Sequence, residues 1–127
     1  MMRDQKLWSW HVAAGIVILV LLGLHMTIMH LDEIFPLTGL NPAGGEPIDW
    51  QNVVARGRTL FFPITYILLL GAALFHGLYG LRNILFELIQ GSGPKKAVSV
   101  LLIVVGLGLF VLGTLSALAG FALARSL

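Results

Sequence analysis

Four histidines stand in a chain that is poor in ionisable groups, and His76 has the richest setting of the four. The stretch Phe75–Glu87, FHGLYGLRNILFE, places His76, Arg82, Asn83 and Glu87, with two glycines, in an otherwise apolar run. Polar side chains inside a membrane segment are costly, so they face a bundle interior and serve a ligand or a proton path. At about 100° per residue His76, Gly80, Asn83 and Glu87 share one helical face, which Thr65, Leu69 and Ala72 extend towards the N-terminus. Apart from Leu69 that face is small or polar. It predicts a site rather than a lipid-facing surface.

The other candidates are His11, His25 and His30. An imidazole in lipid can ligate a metal, move a proton, or simply snorkel to the headgroups and hydrogen-bond a neighbour. The last alternative weighs most for His11 and His30, near the ends of the first apolar segment, and least for the deeper His25 and His76. With no cysteine the chain holds no disulfide, thiolate metal site, iron–sulfur cluster or thioether-linked haem. Any haem or metal must rest on histidine, methionine or carboxylate.

The elements that position these residues follow from composition. Of 127 residues 57% are apolar and 11% charged, and mean hydropathy is +0.92, values of an integral membrane protein rather than a small soluble domain. A net charge of +2 on scattered Lys and Arg does not suggest nucleic acid. Trp8 and Trp10 mark an interface, and the first apolar segment, about residues 9–31, is long enough to span. It is longer than a signal-peptide core and leads into Asp32-Glu33 without a small-residue cleavage site, so it is expected to be retained. Residues 32–59 form the one long polar stretch, a loop by its Pro36, Pro42, Gly44-Gly45 and Pro47, with a turn or two of surface helix over Ile48–Arg56. A second long helix is expected over about 60–90, a tight connection over Gly91–Lys96, and a third, apolar helix over about 97–124. In the last, Ser99, Gly106, Gly113 and Gly120 recur every seven residues, a pattern for close helix packing. Ordinary glycine use in a membrane helix explains the pattern almost as well.

The expectation is therefore an all-α membrane protein: a single anchor domain over residues 1–127, with three transmembrane helices forming part of a larger helical bundle. Arg3, Lys6, Arg82, Lys95 and Lys96 on one side outnumber Arg56, Arg58 and Arg125 on the other, which favours a cytoplasmic N-terminus.

Depth restricts the histidines further. At 1.5 Å per residue His25 lies ~25 Å from Trp8, and His76 lies ~24 Å from Leu60 on a helix running the other way. Two axial ligands of one haem need nitrogens about 4 Å apart, each ~2 Å from iron. His25 and His76 thus cannot clasp one haem; if both ligate, there are two haems, each needing a second ligand. His11 shares the depth of His76, so an intrachain pair is geometrically open; otherwise the second ligands come from a partner chain. His11, Gly15, Leu22 and His25 share a face of the first helix, with Gly15 leaving room for a flat ring edge or a close helix. His30 points about 140° away from His25, beside Asp32 and Glu33, where the three would relay protons.

These residues resemble the haem b membrane anchors of succinate:quinone oxidoreductases, the succinate dehydrogenases and fumarate reductases. The second-helix run His76-x-x-x-Gly80-Leu81-Arg82, with Glu87 beyond it, is similar to that family's haem-ligating histidine, glycine, arginine and acidic exit residue. His11-x-x-x-Gly15 and His25-x-x-x-x-His30 are similar to the first helix of the dihaem branch. The resemblance covers two helices; the third matches only as apolar length.

The resemblance implies His76 and His25 as axial ligands of a proximal and a distal haem b, with His11, Gly80 and Arg82 also at the cofactor. It implies an inner quinone site at Arg82, Asn83 and Glu87 and an outer one at His30, Asp32 and Glu33. For Arg82 a haem-propionate contact is an equal option, and a plain interfacial charge remains open. Glu87 is equally a helix-end carboxylate paired with a lysine, and Asp32-Glu33 equally plain loop charge. The chain would be the non-catalytic membrane subunit of a multi-pass complex in the inner membrane. It would carry one or two haems shared with a second three-helix anchor, with FAD and iron–sulfur clusters on the flavoprotein and iron–sulfur subunits. Three helices are fewer than the five of a single-chain dihaem anchor. Rival expectations are the haem b anchor of a hydrogenase or formate dehydrogenase, a haem-free scaffold, and a small transporter with His76, Asn83 and Glu87 on a proton path.

Overall fold

Long apolar segments without strand-like alternation fold as helices, because only a helix satisfies every backbone group within one segment in lipid. The computed structural model describes residues 2–30 and 41–127. It contains α1 (Met2–His30), α2 (Trp50–Gly57), α3 (Phe61–Leu88) and α4 (Ser92–Ser126), with no strand among the described residues. Three of them, α1, α3 and α4, are long and apolar enough to cross a membrane. The all-helical, three-span expectation holds.

The ends differ from the sequence-based expectation in two places. Helix α1 begins at Met2 rather than near Ser9: residues 2–8 contain neither Gly nor Pro, and Asp4 in the first turn suits the positive end of the helix dipole. Helix α4 begins at Ser92, so Ser92–Lys96 is helical and not part of the connection. Pro94 fits because first-turn N–H groups have no intrahelical acceptor anyway. The reversal falls on Gly91, whose φ of 92° is open to glycine at little cost.

Helix α3 lies between α1 and α4, whose backbones do not meet, so the spans form an open row. Among the described residues the buried apolar side chains are few: Ile28, Phe62 and Ala124, with Pro47 and Pro63. Large side chains such as Leu19, Leu101 and Leu112 point outwards on both flanks. The heptad of small residues on α4 faces α3. A Cβ on Gly106 would stand 2.7 Å from Leu78 Cδ1, and one on Gly113 would collide with Leu70. Ser99 receives Arg82 of α3, whereas Gly120 has open space beside it.

Helix α2 caps the end of the row opposite the N-terminus, and its polar face is the buried one. Asn52 is fully buried: its Nδ2 donates to the Gly44 and Glu46 carbonyls, and its Oδ1 accepts from the Ala43 N–H. Arg56, four residues on, donates to Asn41 Oδ1 and to the Pro47 carbonyl and covers the Phe62 ring. Trp50 and Val53 face outwards, as the expected interfacial helix requires. Asp49 precedes α2 but spends its carboxylate on the Glu46 N–H. Gly106→Ile should cost about 1–3 kcal/mol by forcing Leu78 aside. Gly108→Ile, with open space at its position, should leave thermal unfolding in detergent micelles unchanged.

Candidate functional site

The predicted stripe on α3 faces α1 from Thr65 to Gly80. At one end Thr65 and Leu69 line a crevice with His25; at the other His76 and Gly80 meet His11. The depth assignment also holds. His25 lies edge-on to Tyr66, ring centroids 5.7 Å apart, and Tyr66 is ten residues, about 15 Å, from His76.

His11 and His76 are stacked, with ring centroids 4.1 Å apart and planes 5° from parallel. Each ring rests where the other helix has a glycine. A Cβ on Gly15 would lie 3.1 Å from His76 Cε1, and one on Gly80 would lie 3.5 Å from His11 Cε1. In an α-helix the carbonyl of one residue points at the N–H four residues on. Gly15, four after His11, therefore leaves the His11 carbonyl uncovered, and His76 Nδ1 reaches it at 3.0 Å. A carbonyl only accepts, so Nδ1 carries a proton, and in the neutral ring Nε2 keeps its lone pair. The H-x-x-x-G spacing on both helices thus produces one reciprocal contact. His11 Nδ1 is buried with no hydrogen-bond partner among the described residues, and the Tyr79 ring lies 5.2 Å from that of His11.

This geometry bears on the haem that the sequence resemblance implies. At His76 a backbone carbonyl on Nδ1 orients the ring, the arrangement that a ligating imidazole needs. His11 does not fit as the opposite ligand of the same iron. Two trans imidazoles point end-on at the metal, which holds their centroids about 6 Å apart given ~2 Å metal–nitrogen bonds, and here the rings lie face to face. At His25 the packing leaves a crevice of only about 10 Å³. A ring there would have to lie outside the described helices. Among the described residues no cluster of three or more His, Cys, Asp or Glu is placed to hold a metal ion.

The remaining candidates separate. Asn83 and Glu87 continue the His76 face, with Glu87 exposed. Arg82 is about 120° round the helix from His76 and turns to α4, its Nε donating to Ser99 Oγ and its guanidinium lying 4.1 Å from the Phe86 ring. His76 and Arg82 are therefore not brought to one place. His30 is exposed at the end of α1, and Asp32 and Glu33 lie outside the described residues. Tyr66, Tyr79 and Arg56 were not anticipated. Tyr79 is one helical turn after His76, and Arg56 shares a face with Asn52 turned away from Trp50, which are the patterns that would have found them. No protein-family model, curated protein or solved structure matches the chain.

Gly15→Val, which intrudes on His76, should lower stability by about 1–3 kcal/mol. Gly23→Val, eight residues along α1 with nothing within 4 Å, is the matched control and should leave the thermal transition in place.

Proposed function

We propose that the chain is a haem b membrane anchor of the succinate:quinone oxidoreductase type. The observation that carries this reading is the Nδ1–H bond from His76 to the His11 carbonyl, which leaves Nε2 free to ligate. Haem b held there would supply one-electron transfer between an iron–sulfur subunit and the quinone pool.

This chain's own contributions are specific. His76 would ligate through Nε2, and the Gly15 gap would hold the ring in register. Asn83 and Glu87, on the same face, would pass the quinone's protons to water. The second ligand to the haem at His76 would come from a partner helix, because His11 is stacked flat on His76. His25, which faces α3 beside Tyr66, would ligate a second haem lying outside the described helices at the edge of the α1–α3 seam. The open row with its few buried apolar residues suits a half-bundle completed by a second three-helix anchor. The flavoprotein and iron–sulfur subunits would carry FAD and the clusters, for which this cysteine-free chain has no thiolate ligands. The N-terminus would be cytoplasmic and the membrane the inner one.

A haem-free scaffold is the second reading. The closed contact between His11 and His76 favours it, because the two imidazoles already fill each other's space. Visible spectra of the purified complex decide between them. Reduced b-type bands should be lost or halved in His76→Ala and kept in Leu69→Ala. Spectra unchanged in both His76→Ala and His25→Ala would remove the haem assignment.

A further inference from the structure

Arg82 is turned away from the histidines and stands at the mouth of a groove of about 620 Å³ between α3 and α4. Phe75 and Leu78 form one wall, Leu102, Ile103 and Phe110 the other. The walls are apolar over the eleven residues from Arg82 back to Gly71. That is about 16 Å, or one leaflet of a ~30 Å hydrocarbon layer. Polar groups gather at one end only.

At that end two cations share one aromatic ring: the Arg82 guanidinium is 4.1 Å and Lys95 Nζ 5.5 Å from the centre of Phe86. Neither forms an ion pair with a described carboxylate. Arg82 uses Nε on Ser99 Oγ and one Nη1 proton on Asn83 Oδ1 at 3.4 Å, which leaves three N–H donors. Lys95 Nζ makes no hydrogen bond to the described residues. Ser99 Oγ is already committed to the Lys95 carbonyl, so the site offers positive charge rather than neutral donors. Two half-buried cations side by side repel, and a single anion between them relieves that. An apolar channel of leaflet depth with paired cations at its headgroup end matches an anionic amphiphile.

We infer that the α3–α4 groove binds an anionic phospholipid, its phosphate bridging Arg82 and Lys95 and one acyl chain lying along Leu78 and Ile103 towards Phe110. A quinone matches less well, because its neutral head needs hydrogen-bond donors and gains little from a second cation. The lipid would fasten α4 to α3 at the end where Arg82 and Ser99 make the described polar contact between them.

The test is a titration of the full chain in detergent micelles with dioleoyl-phosphatidylglycerol and with dioleoyl-phosphatidylcholine, read by native mass spectrometry. The wild type should prefer the anionic lipid. The double variant R82Q/K95Q should lose about 25-fold of that preference, at roughly fivefold per headgroup-level cation. K96Q, which removes an exposed charge one residue from Lys95, should change it little. High salt should weaken the anionic lipid on the wild type and spare the zwitterionic one, which keeps the test valid if the double variant does not fold. Equal affinity for the two lipids would overturn the inference. So would a loss in K96Q as large as in R82Q/K95Q, competition by inorganic phosphate at lipid-like concentrations, or one-for-one displacement by a ubiquinone analogue.

Discussion

A polar ring in an apolar bundle must find its partner inside the protein, and this requirement organises the junction of α1 and α3. His76 meets it by reaching a carbonyl that α1 already uses for its own helix. A carbonyl has two lone pairs, but a side chain four residues on normally covers the second approach. Gly15 removes that cover, whereas a Cβ at Gly80 would meet His11 in ordinary van der Waals contact. The contact at Gly15 therefore fixes the rotation of the two antiparallel helices, their close approach and the proton on His76 Nδ1. His11 is satisfied less well: its buried Nδ1 has no partner among the described residues, and a stacked imidazole replaces only part of what water would give.

The rest of the molecule is arranged around the opposite of a soluble core. Its most buried polar residues, Asn52 and Arg56, hold the outer cap together, while leucines and valines of the spans point outwards. Small residues take the place of a core between α3 and α4, so cohesion there comes from van der Waals contact and the Arg82–Ser99 bond rather than expelled water. A row of three helices with unfilled flanks has surface on both sides for lipid or for partner helices.

Much of this was legible beforehand. Apolar length identified the three spans, and counting 1.5 Å per residue correctly placed His11 beside His76 and His25 far from both. The polar stripe of α3 could be assigned one face because helical period alone determines it. The stacking was not legible, because ring orientation depends on side-chain rotamers and on which carbonyl a glycine uncovers. Only the family resemblance groups Arg82 with His76; about 120° of helix separates them, and α4 claims the arginine. The start of α4 was placed late because Gly-Ser-Gly-Pro suggests a turn, whereas Pro94 is compatible with a first helical turn. Arg56 passed for a surface charge because its acceptors, the Pro47 carbonyl and Asn41, lie in a loop whose path the sequence does not show.

The central claim is that His76 is held as the Nδ1–H tautomer by the His11 carbonyl, with Nε2 bare and able to ligate. Solid-state ¹⁵N spectra of histidine-labelled protein in lipid, assigned by comparison with His76→Ala, report the tautomer directly. A protonated, hydrogen-bonded Nδ1 and an unprotonated or metal-bound Nε2 at His76 are expected. A proton on Nε2 with Nδ1 bare at His76 would contradict the account.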